Sequence, residues 1–348
     1  MQRLVFVFAV LVTFVNAKLS ATGCEMFNCK LSTQKFNNNT CVYWSQKADS
    51  YYVQPCTGSA SFCPPNHDSN STCIVPQNFT GQAWPGEKCN ATVTCNGYAT
   101  KGCVNGICKG AGNGDSCQDS NSCNPGLFCD GSTHFCSPQI QIGQIGCSSD
   151  FMCVNGAGCD FTGNPATSKC VAYLSLAPHT AVAQCQVNQN RLCSSLTCAQ
   201  LGGKNYCTNP VKSYAFLPMV CDDNSECTST TDSFFGNNFD LTSSCDCALN
   251  PNGNKYCALF PGDQPAQQFI SQLSLWYQST EMNNCNTLRR HSDGCMMSWW
   301  DAKNTAYYNY YNLNYRMYSF VQNMPDCVAQ VYAPEYYYAK QQYQQYQN

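Results

Sequence analysis

Between Cys89 and Cys257 the cysteines recur in sets of four, and a chain built on that repeat is confined to a string of small cross-linked units. Cys89, Cys95, Cys103 and Cys108 form the first set, and Cys117, Cys123, Cys129 and Cys136 the second. Cys147, Cys153, Cys159 and Cys170 form the third, and Cys185, Cys193, Cys198 and Cys207 the fourth. Cys221 and Cys227 open a fifth, closed by the Cys245/Cys247 pair and Cys257. The sets begin 28, 30, 38 and 36 residues apart, and the first gap is five residues in all but the fourth set, where it is seven. A fixed register of this kind is an internal repeat. A unit of about thirty residues buries too little apolar surface to offset the entropy lost on ordering, so covalent links take the place of a core. A link closing about 15 residues contributes roughly 3 kcal/mol in the chain-entropy picture.

Turn chemistry fills the gaps. Asn96-Gly97, Asn105-Gly106, Asp130-Gly131 and Asn155-Gly156 favour tight turns between short strands, and Gly86, Gly114 and Gly146 stand just ahead of their sets. The expected units are small two-stranded hairpins with little other regular structure. Four cysteines allow three pairings; first-to-third with second-to-fourth is the favoured one.

The chain has thirty cysteines, an even number as full oxidation requires. That usage belongs to an oxidising compartment, and the N-terminus agrees. Arg3, the apolar run Leu4 to Val15, and small residues at Val15 and Ala17 read as a secretory signal peptide over residues 1–17, cut before Lys18. The run is shorter than the roughly 20 residues of a membrane span. The polar end, Gln341 to Asn348, is unlike a lipid-anchor signal, so neither a transmembrane span nor a lipid anchor is expected. Four N-glycosylation sequons, at Asn38, Asn70, Asn78 and Asn90, cluster near the N-terminus and predict a glycan-bearing face.

Cysteine parity carries a further expectation. Six cysteines (Cys24, Cys29, Cys41, Cys56, Cys63 and Cys73) precede the repeats, five belong to the fifth set, and three (Cys285, Cys295 and Cys327) follow. If these groups are largely self-contained, the two odd groups must share a link. Cys245 and Cys247 are too close in sequence to pair easily with each other, so one of them is expected to bond Cys285, Cys295 or Cys327.

The segments Cys103-Val104-Asn105-Gly106-Ile107-Cys108 and Cys117 to Cys129 resemble the Dickkopf N-terminal cysteine-rich domain, which has a C-x-x-D-x-x-C start and a C-x-N-G-x-C end. Similar tandem modules occur in secreted proteins of ciliated protists, which the stretch Cys285-Asn286-Thr287-Leu288-Arg289-Arg290 and the Tyr-rich end also resemble. The resemblance covers about residues 86–257 and implies an extracellular, disulfide-rich, non-catalytic module. The second cysteine-rich domain through which Dickkopf proteins antagonise Wnt signalling has no visible counterpart, so that activity is not carried over.

The ends differ from the repeat. Residues 18–85 read as a separate cysteine-rich, glycosylated domain, residues 86–258 as five tandem modules, residues 259–330 as a helical domain and residues 331–348 as a Tyr/Gln-rich tail. Asp263 is expected to cap a helix with Pro265 in its first turn, putting Phe269, Leu273 and Trp276 on one face. A second helix is predicted through Met297, Trp300, Asn304, Tyr308, Tyr311, Tyr315 and Tyr318, ended by Pro325. Such stripes are usually core; the alternative is an aromatic self-assembly surface, since Tyr is common at interfaces. The tail from Glu335 reads as either disordered or a polar helical extension.

The fold class is therefore small and disulfide-rich, with tandem four-cysteine modules and a C-terminal helical region. Net charge is −3 and no basic block exists, so no nucleic-acid partner is expected. No zinc-protease, nucleophile-elbow, phosphate-loop or dinucleotide motif appears, and no catalytic residue, cofactor or metal is expected. His67, His134, His179 and His291 lack short zinc-type Cys pairs, Asp119 and Asp222-Asp223 lack calcium-loop spacing, and Arg289-Arg290 reads as a solvated or carboxylate-paired turn. The function expected is binding or coat assembly with an extracellular or surface protein, the module array acting as a rod between the ends. A soluble receptor ligand or antagonist, or a protease inhibitor, are the rivals.

Overall fold

The computed structural model describes residues 23–29, 41–45, 48–54, 73, 82–185, 190–213, 217–230, 240–300 and 305–347. The expected signal peptide, the sequons at Asn38, Asn70 and Asn78, and Cys56 and Cys63 lie outside the described residues.

Each module is built on a hairpin held by two links; modules one to three are two-stranded as expected, whereas modules four and five each add a third strand, Ala181–Val182 and Val220–Cys221. A module's third and fourth cysteines stand directly opposite each other across the hairpin: Cys103 and Cys108, Cys129 and Cys136, Cys159 and Cys170, Cys198 and Cys207, Cys245 and Cys257. They bond not to each other but to the loop before them. Cys89–Cys103 with Cys95–Cys108 sets the pattern in module one, and Cys117–Cys129 with Cys123–Cys136 repeats it in module two. Cys147–Cys159 with Cys153–Cys170, Cys185–Cys198 with Cys193–Cys207, and Cys221–Cys245 with Cys227–Cys257 complete the series. The pairing is thus first-to-third and second-to-fourth throughout. Asn105 and Gly106, both at positive φ (53° and 76°), make the two-residue turn of the first hairpin, a conformation in which Asn and Gly are the least strained residues.

Successive modules are stitched by a second repeat that the cysteines alone do not reveal. A residue ahead of each of the first four modules, Ala83, Ala111, Ile140 and Leu176, forms a parallel bridge to that module's second cysteine, Cys95, Cys123, Cys153 and Cys193. The interiors of the modules are small cystine clusters, such as Cys117, Cys123, Cys129 and Cys136 around Ala111.

The expected link from module five to the C-terminal cysteines is not formed. Cys247 bonds Cys24, Cys327 bonds Cys29, and Cys285 bonds Cys295. Cys245 stays in its module, so Cys247 is the spare cysteine. The parity argument failed because it treated the first six cysteines as self-contained; two of them take the two spare partners.

The chain ends are correspondingly joined rather than held apart by a rod. Strands β1 (Phe27–Cys29), β2 (Val42–Ser45) and β3 (Ser50–Val53) form one sheet, with β3 central, parallel to β1 and antiparallel to β2. Phe27, Val42 and Val53 share a core with Val321, Met324, Val328, Val331 and Tyr336 near the C-terminus. The described N-terminal strands therefore share one core with the C-terminal helices.

Those helices are α1 (Gln264–Gln278), α2 (Asp293–Trp299), α3 (Thr305–Arg316), α4 (Asp326–Tyr332) and α5 (Pro334–Gln347). Asp263 occupies the N-cap position of α1 but does not cap it with its side chain. Its carboxylate instead accepts from the Ser213 and Phe260 amides and the Ser213 hydroxyl, tying the helix to the end of module four. Leu273 and Trp276 are buried as the periodicity predicts, with Phe269 packed against them. The long second helix is broken: α2 ends at Trp299, α3 at Arg316, and Pro325 starts α4 instead of stopping a helix. Met297 and Tyr318, the two ends of the expected stripe, are exposed, whereas Trp300 and Tyr311 are buried and Tyr308 and Tyr315 pack against the same core. The tail is a helical extension, and Tyr336 and Ala339 anchor it in the two cores.

Candidate functional site

One short loop touches the first four modules, and the chemistry-bearing side chains gather around it. Cys285–Cys295 closes the segment. Inside it, Asn286 Oδ1 accepts from the Leu288 amide (2.9 Å) and Ser292 caps α2 by accepting from the Cys295 amide (3.4 Å).

The loop reads the modules through their backbone. Asn286 Nδ2 donates to the carbonyls of Ser120 and Cys123 in module two, both at 2.7 Å. The Arg290 guanidinium donates to the carbonyls of Asp150 (2.9 Å) and Cys153 (3.2 Å) in module three. Ser120 and Asp150 each lie three residues after their module's first cysteine, and Cys123 and Cys153 are the second cysteines. Two side chains four residues apart thus grip equivalent carbonyl pairs in consecutive modules. Those carbonyls project because a 3-10 turn precedes the second cysteine in both modules. Thr287 Oγ1 adds a bond to the Phe151 carbonyl (2.6 Å), and Asn155 Nδ2 returns two bonds to the carbonyls of Met282 (2.7 Å) and Cys285 (2.8 Å).

Module one is held by aromatic contacts. The Arg289 guanidinium lies 3.7 Å from the Trp84 ring centroid, within cation–π range, and Trp299 Nε1 donates to the Gly86 carbonyl (2.9 Å). Glu87 is buried beside them. Its Oε2 accepts from the Trp84 amide (2.9 Å), but its Oε1 has no partner among the described residues. Burial pushes its carboxyl above the usual range, against the opposing effects of the Trp84 bond, the Arg289 charge and the nearby Ser292 hydroxyl.

Arg290 corrects the sequence reading, which took the Arg289-Arg290 pair for a solvated or carboxylate-paired turn. Arg290 is 3% exposed and forms no direct carboxylate pair among the described residues. Its second nitrogen donates to the Tyr173 hydroxyl (2.6 Å), which itself donates to Asp150 Oδ2 (3.2 Å). The hydroxyl relays between guanidinium and carboxylate, so the buried charge is compensated through one intermediate group. Burial, the largest influence, raises the Tyr173 hydroxyl well above its ordinary value, so it stays a donor to Asp150.

Beside this relay is a cavity of about 410 Å³ between modules three and four and the loop, walled in part by Asp150, Tyr173, Arg191, Arg290 and His291. Arg191 donates to His291 Nδ1 (3.2 Å); the always-protonated guanidinium fixes Nδ1 as the acceptor, so the imidazole proton sits on Nε2. Burial first, then Arg191 and Arg290, holds the His291 pKa well below its ordinary value, which keeps the ring neutral.

The expected site residues are placed as follows. Every cysteine named in the modules and in the C-terminal region is in a disulfide. Four trios of module cysteine sulfurs lie within 4.8 Å of one another, but each of those sulfurs is already committed to a link, which leaves no thiolate there for a metal. Asn90 is exposed, and its Oδ1 accepts from the Thr92 amide and hydroxyl, both at 2.8 Å. Tyr173 and Arg191 carried no sequence signal, Asn155 was read only as a turn residue and His291 only as a histidine without zinc-type partners; their contacts with the loop arise only in the fold.

No helix among the described residues is long and apolar enough to cross a membrane. The architecture defines a small, disulfide-rich protein of extracellular type. Comparison with protein-family profiles, with curated proteins and with solved structures finds no match.

Proposed function

We propose that this chain is a secreted, glycosylated extracellular or cell-surface protein that acts by binding other surface proteins or assembling into a coat, without catalysis. The observation that carries the reading is the distribution of exposed apolar side chains. Tyr98, Val104, Phe135, Ile142 and Ile145, all between 47% and 64% exposed, lie on modules one to three. Large apolar side chains left exposed on a disulfide-stabilised surface support an interaction role; Val220, Leu275, Leu288, Met297 and Tyr318 are exposed as well, so the available surface is not confined to those modules. The modules are read as Dickkopf N-terminal-like, a reading that rests on their cysteine spacing and on the Asn105-Gly106 turn. Much of the C-terminal tyrosine stripe is core, with Tyr307, Tyr310 and Tyr311 buried, so assembly through that end would use exposed Tyr318.

Fractionation of intact producing cells tests the reading. Recovery of the protein in an insoluble surface residue, reduced by Ile142→Ser and Ile145→Ser together, is the expected result. Recovery as a monomer in the medium, unchanged by those substitutions, would replace it with a soluble ligand, antagonist or protease inhibitor.

A further inference from the structure

Charge accounting around the cavity between modules three and four leaves one cation over. Arg290 is balanced by Asp150 through the Tyr173 hydroxyl, and both Asp150 oxygens are occupied, Oδ1 by the Cys159 amide (2.8 Å) and Oδ2 by Tyr173 (3.2 Å). His291 is neutral. Arg191 therefore brings a full positive charge whose described side-chain contact is a neutral imidazole. The ion pairs among the described residues are Lys101–Asp115 and Lys340–Asp326, neither of which involves it. The adjoining residues 186–189 are Gln, Val, Asn and Gln, so no carboxylate can come from them. A second donor is also unmet: His291 lines the same cavity, and its buried Nε2 has no partner among the described residues.

A guanidinium with unused N–H groups in a polar cavity of about 410 Å³ fits a planar or tetrahedral oxygen anion, to which arginine can donate two parallel bonds. We propose that this cavity is a binding site for a monoanionic oxyanion group, a carboxylate or a sulfate monoester, with Arg191 as its anchor. A single negative charge matches the single uncompensated cation; a dianion would leave an excess negative charge beside Asp150. The site is distinct from the exposed apolar side chains of modules one to three, so it stands or falls separately from the proposed function.

Besides Arg3 in the expected signal peptide, the chain has four arginines, Arg191, Arg289, Arg290 and Arg316, which makes residue-resolved labelling a direct test. Native protein would be treated with phenylglyoxal at constant ionic strength in chloride, acetate, methyl sulfate or inorganic phosphate, and modification followed by peptide mass spectrometry. Exposed Arg316 serves as the internal control. At an anion concentration four times its dissociation constant the free site falls about fivefold. Labelling of Arg191 should slow by that factor in acetate or methyl sulfate, with Arg316 unchanged; which of the two acts at lower concentration separates a carboxylate from a sulfate ester. Equal slowing at both arginines, no slowing at Arg191, or protection by phosphate alone would overturn the proposal. As a second measurement, the anion-dependent rise in Tm should disappear in Arg191→Gln and persist in Arg316→Gln.

Discussion

Asn286 offers the sharpest test of the idea that a single loop organises the modules. The residue is fully buried, and its Nδ2 supplies the hydrogen bonds at 2.7 Å to the Ser120 and Cys123 carbonyls. Asn286→Ala leaves both carbonyls without that donor in a buried site. At about 1–3 kcal/mol for each stranded group, the expected loss is about 4 kcal/mol. Asn286→Asp has nearly the same shape but replaces the donor by an anionic oxygen facing two carbonyl oxygens, so at neutral pH it should cost more than alanine. Below the carboxyl pKa the acid regains one donor, and part of the loss should return. Urea unfolding with disulfides intact, followed by tryptophan fluorescence, reads these differences because Trp276 and Trp300 lie in the adjoining core. Hydrogen exchange at the Cys129 amide, which donates to the Ser120 hydroxyl (2.9 Å), localises the effect to module two. An aspartate variant as stable as the parent, or less destabilised than the alanine variant at neutral pH, would refute the assignment of Nδ2 as the grip on module two.

Four further outcomes are expected. Gly86→Ala should lower stability by about 2 kcal/mol or more, because a Cβ there would lie 2.0 Å from the Asn284 carbonyl oxygen at a φ of +92°; Gly97→Ala, with nothing within 4 Å, is the control, and equal Tm values for both would contradict the packing. Glu87→Gln should stabilise the protein at neutral pH. The raised Glu87 pKa means that the unfolded chain loses its proton first as pH rises, so stability falls on ionisation; the advantage of glutamine should shrink as pH drops toward 4.5, and an advantage that grows there would reverse the sign. Removing the Cys24–Cys247 link, whose partners are 223 residues apart, has a chain-entropy ceiling of about 5 kcal/mol; the observed loss should be smaller while Cys29–Cys327 remains, and exchange at the Tyr51 amide, bonded to the Met26 carbonyl (2.8 Å), should accelerate markedly only when both links are removed. Asn90 should carry a glycan in a secreting host and lose it in Thr92→Ala, as glycopeptide mass spectrometry would show; an unmodified Asn90 in the parent would count against an accessible sequon.

The features legible in the sequence are those set over short distances. Cysteine spacing and Asn-Gly turns fix a module because its covalent links close short loops, from 12 residues in modules two and three to 30 in module five, so each hairpin needs little help from the rest of the chain. The start of α1 was readable for a similar reason, from Pro265 and the Phe269, Leu273 and Trp276 periodicity. The long second helix was misread because Trp300, Tyr311 and Tyr315 keep helical spacing across a break. Periodicity records which side chains face the core, not whether the backbone between them is continuous.

Local spacing and thiol chemistry are enough to set the repeat, the oxidised state and the class of fold. Tertiary structure decided everything that depends on meetings between distant segments. Cys247 met Cys24, and Cys327 met Cys29, because the N-terminal strands and the C-terminal helices complete one another's core. Arg290 became a buried grip on module three, and Arg191 a cation without an ion-pair partner among the described residues, because the loop closed by Cys285–Cys295 arrives from 100 or more residues away. A charged residue's role is set by the groups that surround it after folding, and neighbours in sequence do not name those groups.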